Sequence, residues 1–301
     1  MRIFVAGATG VLGRGVLPRL LGAGHEVTAA TRSPAGVALV EGLGARAVDL
    51  DLFDAGAVSR AVVGHEVVCN LATHIPRTSK MALPRAWAEN DRLRTEAARN
   101  LAGAALEAGA DRYVQESIAF LYADGGDDWL DEGSPIDAVA NLATALEAEA
   151  SAARVTAGGA QGVVLRFATF YGPGSHTTRD TVSLVRRRLA AGFGAERYIS
   201  SLHTDDAAGA VVAALGAPAG TYNVGDDEPL TRREYFDSLA RALGVGLPRI
   251  APAGGARLAG KRAAVLARSQ RVSNRRFTEA SGWSPRFRSA REGWPEVLAR
   301  L

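Results

Sequence analysis

Residues 1–15 read MRIFVAGATGVLGRG: an apolar run that breaks at glycine and resumes as VLGRGVLPRLLGAG, where apolar residues recur at helical spacing. A strand, a glycine loop and a helix in direct succession open a strand–helix–strand unit. In the loop GATGVLG, residues 7–13, Gly7 allows the tight turn, Gly10 lets the backbone come close to a pyrophosphate, and Gly13 lets the helix lie against the strand. The helix N-terminus then faces the negative charge. The stretch reads as a dinucleotide site built from Gly7, Thr9, Gly10, Val11, Leu12 and Gly13.

Beyond the loop, the β-like runs HEVTAAT, ARAVDL, EVVCNLA, RYVQES and GVVLRFAT alternate with helical stretches such as DRLRTEAARNLAGAALEAGA. Strands that are apolar on both faces and alternate with helices imply a parallel sheet with right-handed crossovers. The expected fold is α/β, a Rossmann-like doubly wound parallel sheet with a smaller, mainly helical C-terminal substrate lobe. The expected division is an NADP-binding domain over 1–170 and the smaller lobe over 171–301, with 198–224 returning to complete the sheet. Within the lobe, GPGSHTTRD (172–180) reads as a loop and RRRLAAGFG (186–194) as a helix with a glycine-rich end.

The tip of the second strand bears on the choice of cofactor. An NAD site places an Asp or Glu there to hold the adenosine ribose. Here HEVTAATRS (25–33) puts Glu26 at the strand's start and Arg32 at its tip, where a guanidinium pairs with a 2′-phosphate in two-pronged fashion. The expected cofactor is therefore NADP(H). Arg14, just past the loop, stands either to assist or as a plain solvent-facing helix residue.

Composition narrows the classes. At 301 residues, 47% hydrophobic and 22% charged, the chain buries a real core and is not disordered. No run of 18 apolar residues occurs and nothing resembling a signal peptide precedes the first strand, so a cytoplasmic protein with no membrane segment is expected. The single cysteine, Cys69, excludes an internal disulfide or a cysteine-built zinc site, and no metal is expected. Ten basic residues and one acid fall between 257 and 291, which reads as a solvated face or an attraction for an anionic ligand. Without aromatic interleaving or a recognition helix, no nucleic acid partner is expected.

With these pieces placed, the chain resembles the extended and atypical short-chain dehydrogenase/reductases, the group that contains NAD-dependent epimerases and dehydratases. GATGVLG resembles the family's nucleotide loop, and DLFD (51–54) its adenine-side stretch, which implies Asp51 and Leu52 as adenine contacts. CNLAT (69–73) is similar to the strand end beside the ribose and nicotinamide, implying Leu71, Ala72 and Thr73. LRFATFYGPG (165–174) resembles a segment that usually carries proline where this chain has Phe167, implying a further cofactor contact. SLHTDDAA, TYNVGDDEPLT and GWSPR resemble later landmarks.

The resemblance fails where the family does its chemistry. That family uses a Ser or Thr after the fifth strand and a Tyr-x-x-x-Lys on the next helix, the tyrosine moving the proton and the lysine lowering its pKa. In YVQESIAFLY the hydroxyl position holds Ile118, with Ser117 as its neighbour. Aligning the family's helix glutamate to Glu149 puts Asn141 at the tyrosine and Ala145 at the lysine; aligning it to Glu147 gives Val139 and Ala143. Neither lysine, Lys80 or Lys261, follows a tyrosine at that spacing.

A positioned general acid contributes roughly 10² to 10⁴ in rate, about 3–5 kcal/mol of barrier. Ketone reduction survives that loss if the substrate's own hydroxyl or water supplies the proton. The substitutes on offer are His74, which reads otherwise as a loop or substrate-contact residue, and Ser117, which reads otherwise as satisfying backbone groups, while Tyr122 and Tyr171 read as structural, His176 and His203 as weaker still, and Thr204 or Asp205 as a helix cap. The loop ADGGDDWLDEGSPID (123–137) carries six acids and reads as solvated loop or as a lid with Trp129 stacking on a flat substrate. The leading expectation is NADPH-dependent reduction of a ketone on a hydroxylated aromatic substrate, similar to the atypical ketoreductases of actinomycete aromatic-polyketide pathways. A non-catalytic NADP-sensing or partner-binding protein comes second and a sugar-nucleotide epimerase or dehydratase third. Family analogy implies a homodimer through two helices.

Overall fold

The computed structural model describes residues 1–81, 83–258 and 265–301, and the side chains of all of these except Ala140, Asn141, Arg257 and Leu258. The first half alternates strictly: β1 (Arg2–Ala6), α1 (Val11–Gly22), β2 (Glu26–Thr31), α2 (Pro34–Gly42), β3 (Arg46–Asp49), α3 (Ala55–Val62) and β4 (Val67–Asn70). One long helix follows, made of α4 (Ala88–Arg92), a π-helical turn (Leu93–Ala97) and α5 (Ala98–Glu107), and leads to β5 (Arg112–Ile118). Then come β6 (Trp129–Leu130), α6 (Ala140–Ala157), β7 (Gln161–Phe167), β8 (Thr169–Tyr171), α7 (His176–Arg186), β9 (Leu189–Phe193), β10 (Tyr198–Ile199) and β11 (Ser201–His203). The rest contains α8 (Thr204–Ala213), β12 (Gly220–Val224), β13 (Leu230–Thr231), α9 (Arg232–Leu243), β14 (Arg249–Ala251), β15 (Arg271–Val272) and the helices Arg275–Ser281 and Ala290–Ala299.

Seven strands form one sheet in the order β12-β7-β5-β4-β1-β2-β3, every pair parallel. The sheet is the doubly wound one expected, and its strand order reverses between β1 and β4, where such folds leave a crevice at the carboxyl ends of the strands. Ile3, Val5, Val16, Leu17, Leu165, Val211 and Phe277 build the core on one face; Phe4, Val58, Leu101, Tyr113 and Val155 build it on the other. A third core, centred on Tyr171, Tyr235, Phe236 and Trp294, holds the C-terminal elements together.

Three readings beyond residue 171 are corrected. Of 198–224, only β12 joins the main sheet, while β10 pairs with β13 and β11 with β8 in separate two-stranded ribbons. GPGSHTTRD is a loop only to Ser175, because α7 starts at His176. RRRLAAGFG is not a helix: α7 ends at Arg186, Arg188 turns the chain with φ +58, and β9 pairs with β14. Apolar residues spaced for a helix also suit a short ribbon strand, and a left-handed turn decides between them.

Candidate active site

The glycine loop is shaped by contact. Gly7 has φ +84, and a Cβ on it would overlap the backbone of Leu71 at the end of β4; a Cβ on Gly13 would overlap the Gly7 carbonyl and the backbone of Ala8. Any side chain at either point pushes β1, β4 and α1 apart. Gly10 is the N-cap of α1 at φ −73, with no side chain to cap the first turn, so the helix N-terminus offers its N–H groups outward. A pyrophosphate fits this cradle. Arg14 braces it, its Nε donating to the Thr9 carbonyl at 2.8 Å, which accounts for that arginine without a ligand.

Arg32 stands exposed at the tip of β2, where a 2′-phosphate would lie, but it is engaged: Nη2 donates to Glu89 Oε1 at 2.9 Å. The bond from Arg32 holds the Glu89 carboxyl below its usual range against the opposing effect of desolvation. His74 Nδ1 lies 3.6 Å from the other Glu89 oxygen, and its backbone N–H donates to Asn90 Oδ1. His74 is thus tied through Glu89 to Arg32 at the tip of β2, and not to Ser117 on β5. Asp51 is exposed and accepts from the Phe53 N–H, Leu52 is buried beside it and accepts through its carbonyl from Asn100, and Leu71 and Ala72 are buried under exposed Thr73. The Phe167 ring lies in the core, 2% exposed and edge-on to Phe170, so its side chain is not the cofactor contact expected.

On the other half of the same sheet edge the family's hydroxyl and lysine positions are filled with hydrocarbon. Ala145 is fully buried with Leu121, Leu142 and Val265, and Ile118 packs against them. Asn141 lies in α6, but its side chain is outside the described residues. Ser117 is no free hydroxyl: it donates to Glu149 Oε1 at 2.6 Å, and Arg166 grips both oxygens of that carboxylate at 2.8 and 2.7 Å. Arg166 also donates to the Tyr122 hydroxyl at 2.9 Å, which donates to Asn223 Oδ1 at 2.8 Å. Ser117 is thus a structural bond between β5, α6 and β7, and its reading as a substitute acid is corrected. Because Glu149 is largely buried and Glu147 exposed, the register that sets Ala145 at the lysine position is the one that fits.

Next to this network sit two groups that spacing had not singled out. Arg94, on the π-helical turn, is 2% exposed and lies 3.6 Å from Glu116 on β5. Burial pushes the Glu116 carboxyl up to about 7, with Arg94 opposing and Glu149 adding to the rise. The other candidates resolve as structural. His203 caps α8 by accepting from the Asp205 N–H, in place of the expected Thr204 or Asp205; Asp206 accepts from the Arg286 and Phe287 N–H groups; and Tyr171 is buried among aromatic rings.

The acidic loop is pinned. Asp124 takes Arg197 with both oxygens, Asp137 pairs with Arg268, and Glu132 accepts from the Asn223 N–H. Trp129 belongs to β6, paired with β15, and the Arg271 guanidinium lies 4.2 Å over its ring, occupying one face meant for a flat substrate. Much of the described basic stretch is likewise paired, Arg275 with Glu279 and Arg291 with Glu228 and Glu234.

A cavity of about 170 Å³ begins where β5 and β7 end, at Ala119 and Thr169, and runs toward Tyr198, Arg232 and Gln270. A larger, more open depression bounded by Arg179, Arg186, Leu243 and Leu298 lies away from the strand ends. Among the described residues no helix is long and apolar enough to cross a membrane.

The sequence profile of the NAD dependent epimerase/dehydratase family matches residues 3–225. A Streptomyces protein named 3-diazoavenalumate denitrifying reductase is 38% identical, over 97% of this chain and 99% of its own length. A human epimerase family protein solved with NADPH superposes with a TM-score of 0.83 at 23% identity, covering both chains fully. UDP-glucose 4-epimerase of Thermotoga maritima, solved with UDP-glucose, gives 0.82 at 20% identity over 100% of this chain and 98% of its own.

Proposed function

Because this chain belongs to the NAD-dependent epimerase/dehydratase family, we propose that it is an NADPH-dependent reductase that sends a hydride to an aromatic acceptor needing no proton from the protein. The observation that carries this reading is the hydrocarbon plug of Ile118, Leu121, Leu142 and Ala145, which fills the family's hydroxyl and lysine positions. NADPH, when bound, supplies the hydride. Gly7, Gly10 and Gly13 would hold its pyrophosphate, Asp51 and Leu52 would border the adenine, and Leu71 to Thr73 would border the ribose and nicotinamide. Arg32 would take the 2′-phosphate in exchange for Glu89. The plug keeps water away from the acceptor, and Ser117, held by Glu149, keeps β5 and α6 in register.

Two acceptors meet the condition. An aryl diazonium takes a hydride at carbon, releases N₂ and becomes Ar–H; charge balances and no proton is consumed. The name of the Streptomyces relative puts this acceptor first. A ketone on a hydroxylated, angucyclinone-like ring, its own hydroxyl bonded to the carbonyl, is second, since the developing alkoxide is quenched from within the substrate. Sugar epimerisation begins by removing an alcohol proton, and Ile118 and Ala145 are no base.

The test uses NADPH deuterated on the transferred position with a 2-hydroxyaryl diazonium salt, a 2-hydroxyaryl ketone and the methyl ether of that ketone. Deuterium on the ring with N₂ release supports the first acceptor, and deuterium on the carbinol carbon of the free hydroxyl ketone alone supports the second. Reduction of the methyl ether at an equal rate reveals a protein or solvent proton and breaks the reading. NADPH bound but never consumed by any acceptor leaves a nucleotide-binding protein without turnover.

A further inference from the structure

Arg232 opens α9 and is 6% exposed. It lines the far end of the cavity that starts at the β5 and β7 strand ends. Its Nη2 donates to the Arg268 carbonyl at 2.7 Å, and its Nη1 has no partner among the described residues. Among the described residues the acid that offsets its burial is Asp124, and that acid is already held by Arg197 through both oxygens. The stretch 257–264 contains Arg257, Lys261 and Arg262 and no Asp or Glu. Burial, with Arg197 adding repulsion, pushes the Arg232 guanidinium down to about 10.

A buried cation without a counter-charge is costly unless something arrives to pair with it. Arg166 shows the ordinary solution in this molecule, a bidentate carboxylate from Glu149. Around Arg232 the fold instead makes room. Gly192 on β9 has φ +88, and a Cβ there would stand 3.1 Å from Arg232 Nε and 3.2 Å from the Leu266 carbonyl. About 170 Å³ is close to the size of cavities that hold a benzene ring. The ring of a small aromatic therefore fits between Arg232 and the strand ends, whereas a polycycle extends outside.

We propose that Arg232 anchors a carboxylate on the aromatic substrate, so that the substrate class is an aromatic acid held at Arg232 with its reacting group toward Ala119 and Thr169. This rests on the reading that the cavity serves hydride transfer. A carboxylate suits the site better than a phosphate because it brings one charge to one fork, and the neighbouring Arg197 is already neutralised.

The probes are 4-hydroxycinnamate and its methyl ester, titrated calorimetrically into protein preloaded with NADP⁺. The acid should bind at least roughly 10-fold more tightly than the ester, the scale of one charge-assisted bond. Arg232→Met should erase that preference. Arg232→Lys, which keeps the charge but not the fork, should fall between. Equal binding of acid and ester, binding of neither, or a preference that survives in Arg232→Met overturns the proposal. Acid-selective binding lost in Arg232→Met without turnover of diazonium or ketone keeps the anchor and removes the reductase reading; turnover indifferent to the carboxylate does the reverse.

Discussion

The loop after β1 and the crossover from β5 to α6 lie on the same edge of one sheet and face the same crevice, yet only the first keeps the pattern its family resemblance implies. At the first, the requirement falls on the backbone: Gly7 and Gly13 have no space for a Cβ, and the fold itself would suffer from a change. At the second it falls on side chains, and Ala145 and Ile118 pack there with Leu121 and Leu142 without disturbing a strand. Nucleotide binding by backbone geometry is thus welded to the fold, whereas proton chemistry by side chains is separable from it.

Substitutions can break or sharpen that contrast. The largest effect is expected at Glu149→Ala, which strands Arg166, itself 5% exposed; removing one partner of a buried pair costs about 3–5 kcal/mol. Denaturant unfolding reads it, and an unchanged midpoint would mean that Arg166 has another partner and the catalytic half is not held by this network.

Next comes Glu116. Its folded value, raised from 4.5 to about 7, means the native state binds the proton more tightly than the unfolded chain. The stabilisation is fully present below about 4.5 and is lost as pH rises to about 7, on the order of 3 kcal/mol in all. Glu116→Gln should flatten that part of the stability curve; a curve parallel to wild type would place the ionisation elsewhere.

Gly13→Ala should cost about 1–3 kcal/mol by overpacking and abolish the fluorescence change on NADPH binding. Retained NADPH affinity would show that the cradle tolerates a side chain and that the two halves are not so different. The smallest effect is at the β2 tip, where Arg32→Ala should lower the preference for NADPH over NADH by roughly 10-fold, about 1.4 kcal/mol. Glu89→Gln, which frees Arg32, should tighten NADPH binding by less than that, and a ratio unmoved by either change places cofactor choice at other residues.

Much of the nucleotide half was legible in advance, since GATGVLG behind an apolar run constrains its own neighbourhood within a dozen residues. The catalytic half was legible as an absence: Ile118 and Ala145 stand where a hydroxyl and a lysine would. Their surroundings were not legible. His74 was expected beside the nicotinamide pocket, and nothing near it in sequence foretold its tie through Glu89 to Arg32; Ser117 was expected to bond a carbonyl or backbone groups, but it is spent on a glutamate 32 positions away. RRRLAAGFG was misread because its apolar spacing suits both a helix and a ribbon, and the positive φ of Arg188 leaves no mark in composition.

By itself, then, the sequence determined what local sterics and periodicity govern: a parallel α/β sheet, a glycine cradle after its first strand, and the loss of the tyrosine–lysine pair. Only the tertiary structure decided which charges meet. The acidic loop finds Arg197 and Arg268, Arg166 finds Glu149, and Arg232 is left at the end of a cavity. Whether a buried charge is satisfied depends on groups brought within a few ångströms from distant parts of the chain, and no short stretch of sequence carries that distance.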